Sequence, residues 1–182
     1  MANKIKYGVK NVYYAKITEG AGGAITYGTP VALKGAVSIS LSQVGDVNDF
    51  YADNVLYWKG ASNSGYEGSL ELALIPESFN TDILGMTTNT DGVVIETASD
   101  HQSEFALMFQ FEGDESARRH LFYRCTAQRP DVAGTTKEQS ITPQTETINI
   151  SAMPRIADDL VKASCGVEST AYANWFTEVY EA

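Results

Sequence analysis

With 182 residues, 43% of them hydrophobic and 20% charged, the chain has apolar material for one domain whose core needs no staples, which excludes a disordered polymer. Thirteen Lys and Arg against 23 Asp and Glu give a net charge of −10. That balance argues against a grip on nucleic acid, which needs clustered positive charge to displace counterions, but leaves open a surface that DNA passes without sticking.

The start, MANKIKYGVKN, lacks the apolar segment of a secretory signal, and no run approaches the ~20 apolar residues of a membrane span. Cys125 and Cys165 lie far apart in the sequence. One disulfide would fit the count; two free thiols in a reducing compartment fit better. Asn149-Ile150-Ser151 spells a glycosylation sequon, but it falls in a strand-like segment of a chain without a secretory signal and is discounted.

Val9 to Thr18, rich in β-branched and aromatic residues, reads as a first strand. Glu19 to Gly28 holds four glycines and reads as a flexible loop. Its Gly20-Ala21-Gly22 is no nucleotide-binding motif, because the third glycine and the following helix are missing. Pro30 leads into a second strand, Val31 to Leu41, with Val37, Ile39 and Leu41 on one face and Ala36, Ser38 and Ser40 on the other.

Gln43 to Ile75 is the stretch around which the chain is organised. A polar, acidic loop, Gly45 to Asn54, carries Asp49, Phe50, Tyr51, Asp53 and Asn54; Tyr57 and Trp58 follow. A Ser/Asn/Gly turn, Ala61 to Gly65, then opens an alternating strand, Tyr66 to Ile75. Aromatic residues in a loop point to a partner surface, since aromatics dominate interface energetics. The alternative is that the loop folds back and its rings cap the domain's own core.

Pro76 to Gly85 predicts one short helix: Pro76 at the first position, Phe79 and Ile83 on one face, and Gly85 as the left-handed residue beyond the end. Asn89 to Gly92 is a turn before a strand, Val93 to Thr97. Glu104 to Glu112 is the clearest strand, with Phe105, Leu107, Phe109 and Phe111 on one face. A tight connection at Gly113-Asp114 joins it in a hairpin to a strand at about Arg119 to Ala127. Arg129 to Pro143 is a loop, and Thr145 to Met153 a strand with Ile148 and Ile150 inward. Ser169 to Tyr180 places Tyr172, Trp175, Phe176 and Val179 at roughly helical spacing, as a short amphipathic helix or a docked aromatic tail. Six or more strands between turn signals indicate a mainly β chain: an antiparallel sandwich or barrel-like sheet with one or two short helices.

In four strands the face opposite the apolar one is small, neutral or acidic: Ala36, Ser38, Ser40; Glu67, Ser69, Glu71, Ala73; Glu104, Ala106, Met108, Gln110, Glu112; Thr147, Asn149, Ser151. None is Lys or Arg, where composition would supply about one. An ordinary solvated face has this character too; a smooth, non-adhesive surface facing a polyanion is the sharper reading. Neither His101 nor His120 has a neighbour that suggests a triad, and no HExxH, CxxC pair or GxSxG occurs. Asp46, Asp49 and Asp53 do not match a calcium loop, because position 50 is Phe. Asp158-Asp159 reads as a solvated pair, and Glu67 and Glu71, the carboxylates a glycosidase would need, share a strand face with nothing to suggest a pocket.

The chain resembles the major tail proteins, or tail-tube proteins, of long-tailed siphophages and their prophages. The resemblance runs through IKYGVKNVYYAKIT, GAVSISL, FYADN, GYEGSLELALIP, DILG, FALMFQFEGD, RHLFYRC, TETI and WFTEVY, in order over nearly the whole length. It implies a single tail-tube domain over residues 1–182, with a long interaction loop at 43–60 and an aromatic C-terminal segment at 169–182. Such proteins form β-sandwiches that associate as hexameric rings and stack into a tube whose inner wall is a continuous β-barrel. The tube holds the tape-measure protein and conducts DNA during ejection, and it meets tail terminator and distal tail proteins at its ends. On this resemblance Asp49, Phe50, Tyr51, Asp53, Asn54, Tyr57 and Trp58 form the subunit or ring interface. Ser38, Ser40, Glu67, Ser69, Glu71, Gln110 and Glu112 are lumen-facing candidates, and Tyr172, Trp175 and Phe176 dock the C-terminus. No catalytic residue, metal, cofactor or membrane is implied, and the location is the virion tail, assembled in the bacterial host cytoplasm. Two other classes remain: a monomeric β-sandwich binding module using Tyr51, Tyr57 and Trp58 to stack on carbohydrate or another cell-surface ligand, and a hydrolase using carboxylates such as Glu67 and Glu71.

Overall fold

A computed structural model describes residues 5–20, 24–113, 115–136 and 142–182. The strands are β1 (Tyr7–Glu19), β2 (Ile25–Tyr27), β3 (Val31–Ala32), β4 (Ala36–Val44), β5 (Val47–Ala52), β6 (Val55–Ala61), β7 (Gly65–Leu72), β8 (Thr87–Thr88), β9 (Val94–Ile95), β10 (Phe105–Glu112), β11 (Arg119–Ala127), β12 (Glu146–Ala152) and β13 (Lys162–Cys165); α1 (Glu77–Asp82) follows β7. One large antiparallel sheet runs β2-β1-β10-β11-β12-β7-β4, with β3 beside β1 and β13 beside β11. The sheet forks at β11: Arg119–Phe122 pairs with β13, and Cys125–Ala127 pairs with β12. Residues 33–35 draw the two ends of the sheet together, as the Leu33 N–H donates to the Val12 carbonyl and the Ala73 N–H to the Gly35 carbonyl, both at 2.8 Å. No closed barrel forms among the described residues.

The fold is mainly β with one short helix, as the alternation predicts. Its main core lies between the apolar sheet face and α1. Phe79, Ile83 and Leu84 are fully buried, and Phe79 meets Tyr14 and Phe105 edge-on with ring centroids 5.2 and 5.5 Å apart. Pro76 is the N-cap of α1 rather than its first residue, while Gly85 takes φ +78 beyond the end. A second core on the opposite face joins Ala15, Ala106, Met108, Leu121 and Tyr123 to Trp175 and Val179.

Several local expectations change. Within the expected Gly-rich loop, Ile25–Tyr27 pairs with β1; Ala21 and Gly22 lie outside the described residues. The expected strand Val31 to Leu41 breaks at residues 33–35 into β3 and β4. A bulge between Ala36 and Ser38 then turns Val37 out, 51% exposed, and packs Ala36 on the core in its place. Ala106 and Met108 are buried, not outward on an open face, because the C-terminal segment covers them. That segment is a series of turns rather than a helix. The short strand β13 fell in no predicted element, and the Gly113-Asp114 connection lies partly outside the described residues, at Asp114. Both cysteines are free and buried.

Candidate functional site

Residues 45–61 form a β-hairpin, not a loop. β4 and β7 pair as far as Val44 and Gly65. The ribbon then continues, with the Ser64 N–H donating to the Val44 carbonyl at 2.8 Å and the Ser62 N–H to the Asp46 carbonyl at 2.9 Å. Gly45 permits this close crossing, since a Cβ there would stand 2.0 Å from the Ser62 carbonyl oxygen. β5 and β6 pair only with each other among the described residues, from Val47–Ala61 out to Ala52–Val55. The turn between them is Asp53-Asn54, with φ of +52 and +63, the twin left-handed geometry of a type I′ turn and one that Asp and Asn tolerate.

The register sorts the side chains. Phe50 lies directly opposite Trp58, and Ala52 opposite Val55, on one face. The other face carries Val47, Tyr51 and Leu56 with Asp49 opposite Lys59, whose charges meet at 3.3 Å. Tyr57 occupies the bulge between these pairs. Trp58 folds back along its own strand: a Cβ on Gly60 would lie 2.1 Å from the indole, so glycine makes room for it. The rings do not cap the domain's core. Trp58 is 56% and Tyr57 72% exposed, and Val47, Phe50, Tyr51, Val55 and Leu56 are exposed as well. An apolar ribbon with both faces in water is the kind of surface that a partner covers.

A second surface spans β4, β7 and β12. Ser38 pairs with Glu71, Ser40 with Ser69 and Ser42 with Glu67; on the other side Thr147, Asn149 and Ser151 pair with the same three β7 residues. All therefore share one face, and none of these nine is Lys or Arg. The Ser38 hydroxyl donates to Glu71 at 2.7 Å and the Thr145 hydroxyl at 2.6 Å. These two bonds, Thr145's first, hold the Glu71 carboxyl below the usual carboxylate range. Gln110 is not on this surface. It is 5% exposed, hydrogen-bonded to the Ala117 carbonyl, the Tyr172 hydroxyl and Asn11, so it leaves the lumen-facing set. Glu112 lies at the end of β10, paired with Lys10 at 2.8 Å.

The C-terminal residues sit on β1, β10 and β11. Tyr13 stacks on Phe176 with centroids 5.0 Å apart, the Trp175 indole N–H reaches the His120 carbonyl at 3.4 Å, and the Tyr172 hydroxyl donates to the Ala117 carbonyl at 3.0 Å. Arg119 lies 3.7 Å from the Tyr172 ring centroid and 4.7 Å from that of Phe176, and donates to the Tyr172 carbonyl. Arg155, only 7% exposed, binds Asp158 and, at 2.6 Å, Glu181, above the Tyr123 ring. Its bond to Asp158 comes first among the effects that raise the guanidinium's pKa and lowers that of Asp158. Asp158 is thus an ion-pair member that stays exposed to solvent, as does Asp159. Arg155 and Arg119 escaped sequence reasoning, as neither stands in a motif; the only signal was aromatic density in the tail.

Among the described residues no three His, Cys, Asp or Glu side chains gather to hold a metal. His120 stacks on Phe109 at 5.2 Å. An antiparallel β-sheet with an uncovered polar face and a projecting aromatic ribbon fits the class of proteins that act through their surfaces. Residues 2–115 match the model of the phage tail tube protein family, and the chain belongs to that family. The match covers β1 to β10, the hairpin included. No curated protein matches the chain. Membership makes the chain a self-assembling structural component of the virion tail and not an enzyme.

Proposed function

We propose that the chain folds as one tail-tube domain over residues 1–182, closes with five other copies into a ring, and stacks ring on ring into a hollow tube. The observation that carries this reading is the β5–β6 hairpin, whose aromatic faces have no cover within the subunit. A ring-to-ring contact through Asp49, Phe50, Tyr51, Asp53, Asn54, Tyr57 and Trp58 would bury that ribbon. The single-domain reading is supported by the main core, where Leu72 and Phe105 share a cluster with Phe122 and Ile148 from beyond the family match.

In this reading Ser38, Ser40, Glu67, Ser69 and Glu71 line the lumen. Hydroxyls and carboxylates repel or ignore phosphate, so the wall conducts DNA and holds the tape-measure protein without trapping either. Tail terminator and distal tail proteins meet the two ends of the tube, and the open edge of β4 is covered by a neighbour in the ring. Docking of Tyr172, Trp175 and Phe176 fixes the C-terminus on its own subunit. Negative-stain electron microscopy tests the proposal, comparing the whole protein with a variant in which residues 47–61 are replaced by a two-residue Asn-Gly turn. The whole protein should form tubes, and the variant should remain folded and stop at rings. Tubes of normal length from the variant would sink the stacking role of the hairpin.

A further inference from the structure

We propose that the tip of the β5–β6 hairpin docks in a groove on the next copy of this chain, between β1 and residues 32–36. This rests on the reading of the hairpin as an axial contact and names the surface that receives it. The groove, of about 360 Å³, has Val9, Val12, Tyr13 and Leu33 along it, with Lys10 and Lys34 among its walls. Val12 and Leu33 are buried and make the floor; Lys34 is exposed.

Groove and hairpin stand at the two ends of β4. Ala36, at the groove, and Val44, where the hairpin ribbon begins, are the two ends of β4. Across a strand of 9 residues, rising ~3.3 Å at each step from one residue to the next, they stand roughly 26 Å apart. Hairpin and groove thus lie at opposite ends of one ribbon. An interface between unlike patches so placed repeats from copy to copy without closing, and yields an open filament.

Their charges are opposite. The hairpin carries Asp46, Asp49 and Asp53 against Lys59 alone, and Lys59 is engaged by Asp49. Asp53 stands at the turn, beside the apolar residues of both faces. The chain carries 23 acidic and 13 basic side chains, and two of its lysines stand at this groove. Lys34 has no ion-pair partner among the described residues, and Lys10 is held by the exposed Glu112. An acidic tip between aromatic faces meets there both the charge and the apolar surface it needs.

Cysteine cross-linking in assembled protein tests the contact. Ala32→Cys in the groove edge and Ala52→Cys beside the tip change little volume and remove no charge. The native thiols are buried, so background linkage is low. A short bismaleimide should join the double variant into a ladder of dimers, trimers and higher species, and an equal mixture of the two single variants into mixed dimers alone. Tubes that form yet give no ladder, or Ala52→Cys linking only to itself, overturn the groove and leave the axial role of the hairpin standing. Tubes that form without the hairpin overturn that axial role instead. Should the cysteine pair block assembly, Lys34→Gln decides: it should raise the protein concentration needed for tubes several-fold, while Lys16→Gln, outside the groove, should not. Equal thresholds for the two overturn the proposal.

Discussion

Trp58→Ala separates assembly from folding. The indole is 56% exposed in the subunit. A tryptophan presents about 200 Å² to burial, so about 110 Å² of it remains for a partner to cover. At ~25 cal/mol per Å² that area is worth about 2.8 kcal/mol per subunit added, in the range of an interface hot spot. At 1.4 kcal/mol per tenfold, the critical concentration for tubes should rise about 100-fold. The fold should lose much less, because the ring lies against its own hairpin, at Gly60 and opposite Phe50, and belongs to neither core; a change within about 1 kcal/mol is expected for so exposed a site. Sedimentation of a dilution series measures the first quantity and urea denaturation of dilute protein the second. An unchanged critical concentration would refute the reasoning, and so would a loss of fold stability as large as the loss of assembly.

Phe79→Ala removes a fully buried ring that touches Tyr14 and Phe105, and should cost about 3–5 kcal/mol in urea denaturation; a cost below 1 kcal/mol would place the helix outside the cooperative core. Burial pushes the phenol pKa of both Tyr14 and Tyr123 up to about 12, from 10 in the unfolded chain. Both forms stay protonated below pH 10, so stability there is unaffected. Between pH 10 and 12 the unfolded chain ionises first, and each tyrosine should cost about 2.7 kcal/mol over that window. Tyr14→Phe and Tyr123→Phe should each flatten this fall in denaturation series from pH 9 to 12; an unchanged slope in either would rule that residue out. Replacing Ser38, Ser40, Ser69 and Glu71 with Lys should leave tube assembly intact and slow DNA ejection, as cationic side chains recruit phosphate; ejection at the normal rate in phage carrying the four changes counts against a lumenal face.

The strongly alternating segments were legible because one face of each meets an apolar core. Phe105, Leu107 and Phe109 face the core as their period requires. The hairpin carried its signal too: Asp53-Asn54 between two β-branched and aromatic runs is a two-residue turn, obscured by the acidic residues around it. Val37 defeated periodicity because a bulge inserts one residue and inverts the alternation behind it. Gln110 defeated it differently. Its place on the polar side of β10 follows from the sequence, but only tertiary docking of Tyr172 above it decides that this side is dry. Arg155 was invisible for a similar reason, since its partners Glu181 and Tyr27 lie 26 and 128 residues away.

One sheet face serves two environments, and the sequence divides it. Beneath the C-terminal turns that face presents Ala106, Met108, Leu121 and Tyr123, apolar residues that Trp175 and Val179 keep from water. Beyond β11 the register carries the same face onward through Thr126 to Ser151 and Glu67, and the residues become hydroxyls, amides and carboxylates. The change falls where the covering segment is absent, so each residue type matches its own solvent. A tail extended across β12 and β7 would bury Glu67 and Glu71 without a Lys or Arg on the paired residues of β4, β7 and β12 to neutralise them, a cost that works against such burial. The composition of β7 and β12 therefore suits that half of the face to water, while the aromatic content of residues 172–180 suits the tail to the apolar half.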